Sequence, residues 1–137
     1  MANHEKIFVL LIDDDPDIRK YLGMSLSYYK MEIATAGDGK MALALLLGDN
    51  PIKPDVIICD IDMPNMDGME FLDKAIPNGI YVPIIISSAG DTYVYGGEAG
   101  IIKRGAAAYV PKPVKTDRMV ETINDIVLGF AGLREAA

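Results

Sequence analysis

Five short apolar runs punctuate the chain, and most are followed by turn-forming residues and then by a segment of helical period. Phe8-Val9-Leu10-Leu11-Ile12 is continuously apolar rather than alternating, as expected of a central strand covered on both faces. Met31 to Ala36 reads as a second strand, Asp55 to Cys59 as a third, Val82 to Ser87 as a fourth and Ala107 to Val110 as a short fifth. Pro83 stands near the start of the fourth, where a missing amide donor is tolerated.

The intervening segments carry helix signals. Asp15-Pro16 combines an acidic N-cap with proline at the first helical position, and Ile18, Tyr21, Leu22, Ser25, Leu26 and Tyr29 follow on one face. Asp38 caps a short Ala/Leu-rich helix over 41–47, and another helix is expected from about Asp67 to Ile76. The last runs from about Thr116 to Phe130, with Val120, Ile123, Val127 and Phe130 on one stripe. A fourth helix is due in "GDTYVYGGEAG", residues 90–100, but its glycines and tyrosines have poor helix propensity, which predicts a shortened or mobile element.

Strand and helix alternating five times imply an α/β fold, a parallel sheet with helices on both faces joined by right-handed crossovers. At 137 residues the chain is expected to be one domain, with a core of about residues 6–130. Half the residues are hydrophobic, and the formal net charge is −7. That balance argues against binding nucleic acid or an anionic membrane through bulk charge. No apolar stretch approaches the ~20 residues of a membrane span and no signal peptide is evident, so a cytoplasmic location is expected. The single cysteine, Cys59, ends an apolar run and reads as a buried, inert thiol; the single histidine, His4, reads as an exposed tail residue.

In such a sheet, ligands bind beyond the carboxyl ends of the strands. The first strand ends in Asp13-Asp14-Asp15, the third in Asp60-Ile61-Asp62 and the fourth in Ser87-Ser88, while Lys112-Pro113 follows the fifth. Each piece alone has a bland reading: a capped helix start, Asx-turn acids, a solvated lysine. Together they gather three or more carboxylates, a hydroxyl and an amine on one edge. Crowded carboxylates repel, and a hard divalent cation removes the conflict. With Mg²⁺ and Lys112, the acidic edge becomes a site for a phosphoryl group, and a carboxylate can be the nucleophile that accepts it.

These residues resemble the response-regulator receiver family, the phosphoacceptor domains of two-component signalling. The likeness runs from "IFVLLIDDDPDIRKYL" through "PDVIICDIDMPNMDGMEFL" and "VPIIISSAG" to "GAAAYVPKPV". It implies a doubly wound, five-stranded parallel sheet of the flavodoxin-like (βα)5 type, in strand order 2-1-3-4-5. The basic residue Arg19, five past the second acid of the family's pair, sets that pair as Asp13 and Asp14 and leaves Asp15 to cap the helix. The likeness then implies Asp14 as a direct Mg²⁺ (or Mn²⁺) ligand, Asp13 acting mainly through water, and Asp60 as phosphoacceptor and ligand. Asp62 would contribute its backbone carbonyl to the metal and its side chain to phosphoryl lifetime. Ser88, five after Pro83 and followed by Ala89, takes the family's hydroxyl position; Lys112 would pair with the acyl phosphate, and Tyr109 matches the switch aromatic.

The implied donors are a sensor histidine kinase or a phosphotransfer protein, and the implied output is a downstream protein or effector domain. A phosphorylation-linked dimer is a further partner the resemblance allows. Gly90, two past Ser88, offers no side chain to guard the phosphoryl group, so open access for water or a phosphatase is expected. Two rivals compete. A docking receiver that is never phosphorylated would not need all five functional groups, and all five are present. A haloacid-dehalogenase-like phosphatase also places D-x-D after a strand, but its acidic pair comes last in the chain, whereas Asp13-Asp14 comes first. Beyond Phe130, "AGLREAA" is too short for an effector domain, which suggests either a stand-alone regulator or a receiver cut from a longer protein.

Overall fold

A computed structural model describes residues 6–136, with side chains through Gly129; His4 and the ring of Phe130 lie outside the described residues. Five strands alternate with five α-helices in chain order: β1 Phe8–Ile12, α1 Pro16–Tyr28, β2 Glu32–Ala36, α2 Gly39–Leu47, β3 Val56–Asp60, α3 Gly68–Ala75, β4 Ile84–Ser88, α4 Gly97–Lys103, β5 Ala108–Pro111 and α5 Thr116–Ala136. All strands pair in parallel, in the order β2-β1-β3-β4-β5. The sheet order reverses at β1 and β3, and those two strands carry the acidic ends.

Strand residues point alternately to the two faces, and each face has its own core. Val9, Leu11, Val56, Ile58, Ile85 and Val110 pack with Leu22 and Leu26 of α1 and with Met119 and Ile123 of α5. Leu10, Ile12, Ile57, Cys59, Ile84 and Ile86 pack with α2, Met69, Phe71 and Leu72 of α3, and Ile101 of α4. Both faces being covered is why β1, β3 and β4 read as unbroken apolar runs.

Three aspartates start helices as their spacing foretold. Asp15 accepts from the Asp17 amide and Asp38 from the Met41 amide. Asp67 and Glu70 form a reciprocal capping box. The stripe on α1 is narrower than its periodicity suggested. Leu22 and Leu26 are buried, but Tyr21 and Tyr29 are 62% and 46% exposed, because α1 packs on the sheet through little more than one leucine row.

The glycine-rich segment is indeed a shortened element. Tyr93–Tyr95 form one 3-10 turn, and α4 begins at Gly97, which with the preceding Gly96 has positive φ. Those two left-handed residues reverse the chain so that Ile101 can reach the core, a conformation that costs glycine little. Tertiary packing, not propensity, makes this helix.

Candidate functional site

The strand periodicity that builds the core also aims the functional side chains. Asp13 follows Val9 and Leu11 at spacing two, and Asp60 follows Val56 and Ile58, so both carboxylates emerge on the α1/α5 face. They are 2% and 5% exposed. Lys112, two past Val110, emerges on the same face and reaches across the sheet end. Its Nζ donates to Asp13 Oδ2 at 2.8 Å and lies 3.4 Å from Asp60 Oδ1.

Asp14 stands exposed beside them, and carboxylate oxygens of Asp13, Asp14 and Asp60 all lie within 4.8 Å of one another. Local bonds hold this geometry. The Asp15 amide donates to Asp13 Oδ1 at 3.0 Å, and Arg19 Nη1 donates to the Asp13 carbonyl at 2.7 Å. Arg19 thus braces the backbone of the acidic pair.

Burial pushes the Asp60 carboxyl from its ordinary 3.8 up to about 6; Lys112 opposes the shift and the Asp13 charge reinforces it. Burial alone would lower the Lys112 ammonium, but the hydrogen bond and charge of Asp13, together with Asp60, outweigh burial and hold it above its usual value. One lysine therefore serves two buried carboxylates and leaves an excess of negative charge. Three carboxylates this close, offering oxygen donors alone, fit a hard divalent cation such as Mg²⁺ or Mn²⁺. Cys59, one residue away, is fully buried and burial raises its thiol well above the usual range, so it stays neutral.

The loop after β3 folds tightly back on the site. The Gly68 amide donates to the Ile61 carbonyl at 2.9 Å. A Cβ at Gly68 would overlap the Asp60 carbonyl oxygen, so the start of α3 can approach the strand end this closely only as glycine. Asp62 is exposed at the mouth, with Oδ2 3.5 Å from the Ser88 hydroxyl, and does not join the three-carboxylate cluster.

Ser88 and Tyr109 belong to the other face. Ser88 follows Ile84 and Ile86, which pack on the α2-α3-α4 side, and Tyr109 packs against that same core. The Ser88 hydroxyl accepts from the Gly90 amide at 3.0 Å, and the Tyr109 hydroxyl donates to the Ser88 carbonyl at 3.2 Å. The Lys112–Pro113 peptide is cis. The structure thus brings Asp13, Asp14, Asp60 and Lys112 together at one edge, with Asp62 against the Ser88 hydroxyl and Tyr109 tied to the Ser88 carbonyl.

One neighbour was not singled out. Ser87, in register with Asp60, is 2% exposed and its Oγ has no hydrogen-bond partner among the described residues. Two adjacent serines carry no signal in themselves, but counting alternate residues back along β4 would have set Ser87 on the Asp60 face.

A family model described as "Response regulator receiver domain" matches residues 9–124. Among curated proteins, the chain is 30% identical over 136 residues to "Transcriptional regulatory protein TrcR" of Mycobacterium tuberculosis, covering 99% of this chain and 51% of that protein. It is 34% identical over 112 residues to "Response regulator MprA" of Mycolicibacterium vanbaalenii, covering 82% of this chain and 46% of that protein. The chain thus spans about half the length of these relatives. Among solved structures, the receiver domain of the Francisella response regulator 1452 superposes with a TM-score of 0.81 at 30% identity, over 91% of this chain and 99% of that one. The chemotaxis protein CheY4 of Vibrio cholerae does so with a TM-score of 0.73 at 27% identity, over 88% and 98%.

Proposed function

The chain belongs to the response regulator receiver domain family, and on that premise we propose that Asp60 is the residue on which it accepts a phosphoryl group. The observation that carries this reading is the single lysine spanning two buried carboxylates: Lys112 Nζ holds Asp13 at 2.8 Å and Asp60 at 3.4 Å. Asp60 is fixed at the sheet edge, ionised above about pH 6, and has a cation beside it for the incoming negative charge.

In the transfer, an Asp60 carboxylate oxygen forms a bond to phosphorus. The bond from phosphorus to the donor breaks, and its electron pair leaves with the donor's imidazole nitrogen or, for acetyl phosphate, with acetate. Asp13, Asp14 and Asp60 would hold the divalent cation, with the Asp62 backbone carbonyl as a further ligand. When bound, that cation supplies positive charge to the transferring oxygens. Lys112 would shift from Asp13 toward a phosphoryl oxygen, and the Ser88 hydroxyl would take another. Ser88 is tied through its carbonyl to Tyr109, so movement at Ser88 is transmitted to the α4–β5 surface.

The partners on this reading are a histidine kinase or phosphotransfer protein as donor, and a downstream protein or effector segment that reads the α4–β5 surface. The same reading treats residues 1–137 as one receiver unit. No helix among the described residues is long and apolar enough to cross a membrane. The test is intact mass after incubation with acetyl phosphate and Mg²⁺. One phosphate adduct is expected, absent from Asp60→Asn and from a metal-free control. No adduct with any donor, kinase included, overturns the assignment.

A further inference from the structure

Ser87 is a buried hydroxyl that the reading above leaves without work. Its Oγ has no partner among the described residues, and burying an unpaired hydroxyl costs stability. Alternation along β4 puts it on the α1/α5 face with Ile85, the face from which Asp13, Asp60 and Lys112 also emerge. In register it lies between Asp60 on β3 and Val110 on β5.

The strand order gives this position meaning. Lys112 leaves the end of β5, yet its ammonium bonds Asp13 at the end of β1, so the side chain crosses the ends of β4 and β3. Ser87 is the β4 residue on that face beneath the crossing. An ammonium has three N–H donors. One is taken by Asp13, a second faces Asp60 at the longer distance of 3.4 Å, and no other acceptor is engaged among the described residues.

We propose that Ser87 is a positioning residue for Lys112: its Oγ accepts an N–H of the ammonium when Lys112 moves off Asp13 to the phosphoryl group on Asp60. That displacement runs back from β1 toward β3 and β4, which is toward Ser87. β4 thereby contributes two hydroxyls with different duties, Ser88 to the phosphoryl oxygens and Ser87 to the lysine. The inference rests on Asp60 being the acceptor.

The experiment compares wild type with Ser87→Ala, Ser87→Val and Ser87→Thr. It measures the phosphorylation rate with acetyl phosphate and Mg²⁺, binding of fluoroberyllate with Mg²⁺, and urea unfolding of the unmodified protein. A lost hydrogen bond to a charged group predicts about tenfold slower phosphorylation and weaker fluoroberyllate binding in Ser87→Ala and Ser87→Val. Unfolding stability should be unchanged or higher in Ser87→Ala, because the resting hydroxyl is unpaired. Ser87→Thr should restore rate and binding, while Ser87→Val, of the same size without the hydroxyl, should not. Equal behaviour of Thr and Val, or a wild-type rate in Ala, overturns the role of Ser87 and leaves Asp60 standing. A wild-type protein that takes no phosphate overturns the premise instead.

Discussion

Replacing Asp60 by asparagine should stabilise the metal-free protein at neutral pH. In the fold, Asp60 titrates at about 6 rather than at 3.8, chiefly because it is buried. The folded state therefore binds this proton more tightly than the unfolded chain does, and folding is penalised wherever the carboxyl must be ionised. The penalty is complete above about pH 6 and disappears as the pH falls through 3.8. The gap of about two pH units, at 1.36 kcal/mol each, corresponds to about 3 kcal/mol as a maximum. The asparagine amide has its own desolvation cost, so a gain of about 1–2 kcal/mol is expected. Lys112 retains its 2.8 Å bond to Asp13 in the variant, so no cation is orphaned. The assay is urea unfolding followed by circular dichroism in EDTA, at pH 7.5 and pH 4.0, comparing variant with wild type at each pH. The advantage of Asp60→Asn should be large at pH 7.5 and mostly gone at pH 4.0. A variant less stable than wild type at pH 7.5, or an advantage independent of pH, would refute the claim that Asp60 is held in an unfavourable charged state.

Three further outcomes follow from the same edge. Mg²⁺ at tenfold its dissociation constant should raise wild-type stability by about 1.4 kcal/mol, and Asp14→Asn should abolish most of that increment in the same unfolding assay. Gly68→Ala should cost about 3 kcal/mol in urea unfolding, since its methyl would overlap the Asp60 carbonyl oxygen; a loss under 1 kcal/mol would mean the loop yields easily. At Gly90, an added Cβ would stand 3.3 Å from Asp62 Oδ2 and 3.6 Å from the Ser88 hydroxyl, over the mouth of the site. Gly90→Leu should lengthen the phosphoryl lifetime about threefold by excluding attacking water, and a wild-type phosphoprotein already stable for many hours would contradict the open mouth.

The sheet was legible because a strand covered on both faces has no polar alternation to dilute it, and β1, β3 and β4 are almost wholly buried. The site was legible because a parallel sheet sends its chemistry to the carboxyl ends, and there Asp13, Asp14, Asp60, Ser88 and Lys112 stand. Periodicity overstated α1, since a repeat of apolar positions marks a direction but not how wide a band is covered, and Tyr21 and Tyr29 fell outside it. It also misjudged the last helix, which continues through Ala136 rather than stopping near Phe130. The α4 region resisted reading because its helix depends on Ile101 finding the core and on two left-handed glycines, both tertiary facts. Ser87 carries no signal of its own in the sequence: only the register with Asp60 distinguishes it from its neighbour.

The partition of the site between the two sides of the sheet has a consequence for how such a chain diversifies. Asp13, Asp60 and Lys112 draw their placement from the layer of α1 and α5, whereas Ser88 and Tyr109 are seated in the layer of α2, α3 and α4. On the proposed reading, the acceptor carboxylate and its lysine are seated by one core, and the hydroxyl and ring that respond to it by the other. Substitutions on α4 and β5 away from Ser88 can then alter the surface a partner reads while Asp13, Asp60 and Lys112 keep their packing. The sheet keeps the two sets of supporting contacts apart, and only its edge brings them within reach of each other.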